Sequence, residues 1–207
     1  GFGVGTRMNT SADAPYLDQS AIYSLMGAPA AQRDGVRASL TASQAMTAPV
    51  VQALARTRAG LELRWGSPRA AWRELSALPP TDSSAQAWID FADEAEHLGG
   101  ALAARDAFSA AYQVRKLPSL ALRAATAALA GGDAAGALSI ATLVTPVLDS
   151  AQMVEAVLPL RIRALAQLAR PAEAERLIAG HGARVTEPQR RMYARSLAWG
   201  WIRAGDI

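Results

Sequence analysis

The chain of 207 residues contains no cysteine. This absence excludes disulfide frameworks, thiolate nucleophiles, and zinc or iron–sulfur sites built on cysteine. Aromatic residues make up only 6% of the sequence. No apolar run approaches the length that spans a membrane, and no stretch alternates β-branched with polar residues. What is abundant is alanine, the strongest helix former, so the sequence predicts an all-α fold with no membrane insertion.

Basic residues are almost all arginine, since Lys116 is the only lysine, and the net charge is +3. A nucleic-acid-binding protein usually concentrates its basic residues in one stripe, whereas these arginines are scattered, so we expect no nucleic-acid partner. The richness in alanine, arginine and glycine is typical of GC-rich bacterial genomes, and both a periplasmic and a cytoplasmic location fit it. Because the sequence begins at Gly1, we expect it to be part of a longer protein.

Three glycines recur every 33 residues, at Gly66, Gly99 and Gly132. A fixed period of this size is typical of stacked helical hairpins, in which each unit buries its apolar face against the next. An alanine follows each glycine by five residues, at Ala71, Ala104 and Ala137. Two further sets of apolar residues keep the same spacing: Leu75, Phe108 and Ala141, and Leu78, Ala111 and Val144.

Helix-end signals divide the chain further. Ser67 and Asp133 are predicted N-caps, either Asp82 or Ser83 caps another helix, and Pro68 suits a first helical turn. About four extra residues around 147–150 shift the period, and Pro159 indicates either a late helix start or a kink. We therefore predict a flexible segment 1–14, a divergent hairpin 15–45, and repeats over 46–207. The repeats span about 46–80, 83–116, 118–146 and 151–181, followed by a half repeat 187–207.

The second unit reads Trp88-x2-Phe91-Ala92-x2-Ala95-x3-Gly99-x4-Ala104-x3-Phe108-x2-Ala111. This pattern resembles a tetratricopeptide repeat, in which small residues lie where paired helices cross and large residues fill the space between hairpins. Ala95 stands where the family usually has tyrosine. The resemblance implies a right-handed superhelix, an α-solenoid of antiparallel helical hairpins, whose first helices line a concave groove that holds a peptide.

The resemblance also implies which residues line the groove. It would be basic at both ends, acidic near the second unit, and apolar in the middle through Leu122 and Leu129, with Thr126 beside them. The lysine and asparagine of the family's carboxylate clamp are missing. The expected groove residues are Arg56, Arg64, Asp93, Glu96, His97, Arg163, Arg195, Trp199 and Arg203. By the same register, Trp201 faces its own unit, whereas Trp65, Trp72 and Trp88 lie in the core.

No pattern favours catalysis or a cofactor. His97 lies one helical turn from Asp93 and Glu94, but a solvated polar face explains this trio better than a metal site does. Carboxylate pairs such as Asp90 and Glu94 would need an apolar pocket to act as acid and base, and we expect Arg105 to neutralise them. The opening glycine-rich segment lacks the strand and helix of a phosphate loop.

We therefore expect a non-catalytic scaffold that binds a protein or peptide in its groove, without cofactor or metal. The alternative is a structural or oligomerisation module within a secretion or polysaccharide-export assembly. The predicted final helix, roughly 187–204, has no second helix to pair with. Its apolar side would be covered by further repeats or by another copy of the chain, so a homo-oligomer through this helix is the expected alternative contact.

Overall fold

A computed structural model describes residues 48–205, and the expectations for segments 1–14 and 15–45 lie outside this range. Within residues 48–205 the chain is helical throughout, with no strand, which confirms the all-α prediction. The helices, numbered along the described part of the chain, are α1 Ala48–Trp65, α2 Pro68–Ser76, α3 Asp82–His97, α4 Ala101–Arg115, α5 Pro118–Ala130, α6 Ala134–Val144, α7 (Ser150–Gln152, a π turn Met153–Val157, and Leu158–Gln167), α8 Pro171–Gly180 and α9 Glu187–Ala204.

The chain divides into two compact units at Pro79 and Pro80. In the first, α1 packs against α2, and Arg58 forms an ion pair with Glu74 at 3.7 Å. In the second, each helix packs against its neighbour in sequence, giving the pairs α3–α4, α5–α6 and α7–α8. Helix α9 packs mainly against α7 and less against α8. This arrangement in adjacent pairs agrees with the helical hairpins expected from the period.

The predicted alanine positions lie in the core of the fold. Ala71, Ala104 and Ala137 are completely buried, and so is Ala174, which holds the same place in the fourth hairpin. Phe108 and Val144 are also fully buried. Because alanine has no side chain beyond Cβ, the helix backbones can approach closely at these points.

The first helix of each hairpin in the second unit ends in the same turn. A residue with positive φ donates its N–H to the carbonyl three residues earlier: Gly99 to Glu96, Gly132 to Leu129, Ala169 to Ala166, and Gly205 to Ile202. In the first three turns the following N–H bonds the carbonyl five residues earlier, as in a Schellman motif. Alanine is the exception, since Ala169 adopts φ +56° where the other turns use glycine.

Most of the predicted helix starts are confirmed. The side chains of Ser67 and Asp133 accept hydrogen bonds from the N–H groups of Ala70 and Gly136, at 3.1 and 2.8 Å. The prediction of Asp82 or Ser83 as a cap is wrong. Thr81 caps α3 instead: its backbone is extended, as an N-cap requires, and its hydroxyl oxygen accepts a hydrogen bond of 3.2 Å from the Ser84 N–H.

The extra residues between the third and fourth hairpins run from a 3₁₀ turn, Thr145–Val147, through Leu148 and Asp149 to the start of α7. The π turn of α7 ends at Val157, two residues before Pro159, and the Leu158 N–H closes it by bonding the Met153 carbonyl. Since proline has no N–H and its ring crowds the preceding turn, the wider π turn accommodates it. Helix α7 therefore starts before Pro159 and takes up the irregularity in its backbone hydrogen bonding.

Helices α7 and α9 approach each other at Gly200. A Cβ built on Gly200 would lie 3.2 Å from the Ala166 Cα atom, so the absence of a side chain sets this separation. About two turns before Gly200 along α9, Tyr193 is 2% exposed and packs with Leu158, Ile162 and Leu165 of α7. Close packing against α7 fixes which side of α9 faces outward.

Candidate functional site

The two predicted acidic groove residues of α3 are bound by an arginine of α5. Arg123 bonds the carboxylates of both Asp93 and Glu96, the latter at 3.2 Å. Desolvation lowers the pKa of Arg123, but the hydrogen bonds and charges of Asp93 and Glu96 raise it overall. These two carboxylates therefore tie α3 to α5, and a ligand would have to compete with Arg123 for them.

The sequence suggested that Arg105 neutralises the pair of Asp90 and Glu94, but it does not. It bonds Asp106, its neighbour on α4, and Asp133, the N-cap of α6. Asp90 instead accepts a hydrogen bond of 2.8 Å from Gln86. The sequence reasoning failed because it placed Arg105 by distance along the chain, whereas the α4–α5 packing brings Asp133 closer.

Two predicted cations remain open to solvent. Within residues 48–205, the guanidinium groups of Arg163 on α7 and Arg195 on α9 make no hydrogen bond or ion pair. Both residues are exposed. An exposed arginine without a partner keeps all five of its N–H donors available for a carboxylate.

The predicted residues of α9 lie on one face of the helix. Arg195, Trp199 and Arg203 follow each other at intervals of four residues, which places their side chains on one side of a helix. Trp199 is 60% exposed, and Arg203 reaches the Gln167 carbonyl at the end of α7, at 3.4 Å. Trp201 is half-buried. Its indole N–H donates to Glu175 of α8 at 3.1 Å, so it contacts the preceding hairpin, whereas the sequence placed it toward its own unit.

The other predicted positions are spread over separate elements. Arg56 and Arg64 are exposed on α1, in the first compact unit. His97 is exposed at the end of α3, and Thr126 is exposed on α5, with its hydroxyl bonded to the Leu122 carbonyl. Leu129, expected to line an apolar stretch of groove, is buried at 5% exposure.

Two shallow cavities lie where the hairpins of the second unit meet. The larger, about 460 Å³, is at the C-terminal ends of α5, α7 and α9, and its polar groups are Asp133, Gln167 and Arg203. These groups already bond Arg105 and each other. The second, about 330 Å³, lies along α6 beside Ser139, Thr142 and Arg170. Neither brings together a nucleophile and a base.

Over the described part of the chain, no three His, Asp or Glu side chains are placed to hold a metal ion. The described helices are also each too short or too polar to cross a bilayer.

Sequence reasoning missed two features of this surface. It did not identify Arg123, whose role depends on the α3–α5 separation. It also did not identify Met192 and Ile202, which are 46% and 49% exposed on the same side of α9 as Trp199. Alternate steps of four and three separate residues 188, 192, 195, 199 and 202. This spacing is the sequence signal that would have identified their shared side of the helix.

Comparison of the chain with protein-family models, with curated proteins and with solved structures finds no match. The likeness to tetratricopeptide repeats therefore depends on the repeat pattern of this sequence alone.

Proposed function

We propose that this protein is a non-catalytic scaffold of the tetratricopeptide type. It binds a segment of another protein on the surface formed by the first helices of its hairpins. The observation that carries this proposal is the exposure of Trp199 between Arg195 and Arg203. A large aromatic side chain left in water is unfavourable on its own, and such residues commonly supply the main binding energy of protein interfaces.

The charge of this surface indicates the kind of segment. The carboxylates of Asp93 and Glu96 are bonded to Arg123, while Arg163 and Arg195 have no partner within residues 48–205. The binding surface on α7 and α9 is therefore basic with one aromatic anchor. A segment that carries both carboxylates and apolar side chains complements it.

A peptide-display selection tests the proposal. Random peptides selected on the wild-type chain should be enriched in Asp, Glu and apolar residues, and should lose binding to Trp199→Ala and Arg195→Glu. Matched controls are Val147→Ala, an apolar side chain of similar exposure at 63%, and Arg176→Glu, the same charge change on α8. Selected peptides that bind all four variants equally would refute the proposed surface.

The alternative, an oligomerisation module, is favoured by the exposed side chains of Met192 and Ile202. Light scattering after gel filtration separates the two functions. A dimer that dissociates on Ile202→Asp would support assembly through α9, whereas a monomer at all concentrations supports the binding scaffold.

A further inference from the structure

The exposed side of α9 carries five residues in heptad-like spacing, which we call the α9 strip: Pro188, Met192, Arg195, Trp199 and Ile202. Alternate steps of four and three residues place them in one line along the helix, the pattern with which a helix packs lengthwise against another helix. Three of them are large apolar side chains, and each is between 46% and 60% exposed. Lone exposed apolar residues are common on proteins, whereas several in line along one helix are typical of surfaces that pack against a partner.

Two of the preceding hairpins show what contacts this side of a first helix. Ile202, Ala166 and Glu96 hold one position, since each accepts the N–H of the left-handed residue that ends its helix. On α3 this position is met by Arg123 of α5, and on α7 by Gly200 of α9. In both cases the contact comes from the next first helix. The same position on α9, Ile202, is 49% exposed and has no helix against it within residues 48–205. The shape of the α9 strip is therefore suited to a helix.

The charge of α9 argues against a second copy of this helix as the occupant. The helix contains four arginines and one glutamate, and the glutamate, Glu187, pairs with Arg191 at 3.3 Å. Residues 80–186 carry eleven carboxylate side chains against nine basic ones, so positive charge in this unit is concentrated on α9. A second copy packed strip to strip would set Arg195 against another α9, where arginines outnumber carboxylates four to one. Such like-charge contact disfavours association.

We propose that the α9 strip is the docking surface for an amphipathic helix of a partner protein, whose apolar seam is flanked by glutamate or aspartate. This inference rests on the proposed scaffold function and specifies its partner. Met192, Trp199 and Ile202 pack into the apolar seam, and Arg195 pairs with a carboxylate beside it. The mode is that of an amphipathic helix recognised along its length by side chains at every third or fourth position.

Three synthetic peptides test the proposal on the whole chain. All share one leucine seam with alternating spacing of four and three. The first has glutamate on both flanks, the second has lysine there, and the third is the glutamate peptide with two central prolines that prevent helix formation. Affinities are measured by isothermal titration calorimetry, and circular dichroism follows peptide helicity. We expect the glutamate peptide to bind at least about tenfold more tightly than the other two and to become helical on binding.

Variants assign the binding to the strip. Arg195→Glu should reverse the preference between the glutamate and lysine peptides, and Trp199→Ala and Ile202→Ala should weaken both. Val147→Ala and Arg176→Glu should change neither. A reversal of preference cannot arise from misfolding, and thermal melts of these exposed-site variants provide a further check.

Each contrary result has a separate meaning. If the proline peptide binds as tightly as the helical one, the helix proposal is wrong while the scaffold function stands. If no peptide binds and the chain forms a dimer that Ile202→Asp dissociates, the strip belongs to a second copy and both proposals are wrong. If no peptide binds and the chain is a monomer, the helix proposal is wrong, and the peptide-display selection decides the scaffold function separately.

Discussion

The guanidinium of Arg123 lies 4.0 Å from the centre of the Phe108 ring. This arginine extends from α5 across the end of the fully buried Phe108 side chain on α4 and reaches the carboxylates of α3. One side chain therefore joins three consecutive helices through a cation–π contact and charge-assisted hydrogen bonds.

Arg123→Met should lower the free energy of unfolding by about 1 kcal/mol, because the pair is partly exposed and solvent screens it. The difference from wild type should shrink as salt is added, since part of the interaction is Coulombic. Arg163→Met, an exposed arginine on α7, should leave stability unchanged. Urea unfolding at low and high salt measures both variants, and a salt-independent loss would mean that Arg123 acts through packing alone.

Stability should follow the buried repeat positions. Phe108→Ala should cost about 3–5 kcal/mol through the cavity it leaves, and Ala104→Leu about 1–3 kcal/mol through overpacking at a completely buried crossing. Arg163→Ala and Arg195→Ala should leave the melting temperature nearly unchanged. Thermal unfolding of the four variants makes the comparison. If the arginine variants are as damaging as Phe108→Ala, the repeat register is wrong.

Ala169→Gly should stabilise the protein by about 1 kcal/mol. Ala169 has φ +56° in a turn where the equivalent residues Gly99 and Gly132 are glycine, and a left-handed conformation costs a side-chain-bearing residue about 1–2 kcal/mol. Gly132→Ala is the reciprocal control, because a Cβ there meets nothing within 4 Å and only the backbone conformation changes. Chemical denaturation should show opposite signs for the two variants. The same sign for both would contradict the equivalence of the turns.

Tyr193→Phe should be neutral or stabilising by up to about 2 kcal/mol. The Tyr193 hydroxyl is buried among apolar side chains and has no hydrogen-bond partner within residues 48–205, and burying an unpaired polar group is costly. Burial raises the pKa of Tyr193 above its usual value. The contribution of its neutral form to stability is therefore complete below the unfolded-state pKa of about 10, and is lost as pH rises through the folded-state pKa.

Stability measured from neutral to strongly alkaline pH tests both parts of this prediction. The advantage of Tyr193→Phe should increase above pH of about 10, where wild type has to keep its phenol neutral. Tyr112→Phe is the control, since Tyr112 is only half-buried. A constant difference across this range would show that the hydroxyl has solvent access.

Asp82→Asn should weaken the α3–α4 hairpin only above acid pH. Arg115, near the end of α4, bonds both carboxylate oxygens of Asp82 at 2.8 and 3.2 Å. The hydrogen bond and the charge of Arg115 lower the pKa of Asp82. The contribution of Asp82 is present above its unfolded-state pKa and is lost as pH falls through the lower folded-state pKa.

Melting temperatures of wild type and Asp82→Asn should therefore converge as pH falls from neutral to about 2. Glu155→Gln, an exposed carboxylate of the α7 π turn, serves as the charge control. A difference that persists at the lowest pH would mean that asparagine disturbs the helix start itself.

The repeat period predicted the hairpins because helix packing is local and periodic. The positions of Ala104, Phe108 and Val144 followed directly from glycine spacing, and all three are completely buried. Ala169 could not be identified as a left-handed turn residue, since alanine carries no sequence signal for positive φ. Thr81 was overlooked in favour of Asp82 and Ser83 because all three residue types serve as N-caps.

The candidate site was predicted less well than the fold. Trp199 and Arg195, whose orientation depends on one helix, are both exposed on α9, and their place in a groove stays a prediction. Side chains that depend on the distance between helices were not predicted correctly, as Arg105 and Arg123 show. A periodic sequence gives the register of each helix, but the partner of a long side chain depends on how closely two helices approach.

The indole N–H signals in a nuclear magnetic resonance titration show whether a helix binds at the α9 strip. The chain has five tryptophans, and Trp199→Phe assigns the signal of Trp199 by its loss. On addition of the glutamate-flanked helical peptide, the Trp199 signal should shift and saturate, while that of buried Trp88 stays in place. A peptide that binds without moving the Trp199 signal, or that moves the Trp88 signal as much, would contradict recognition at the α9 strip.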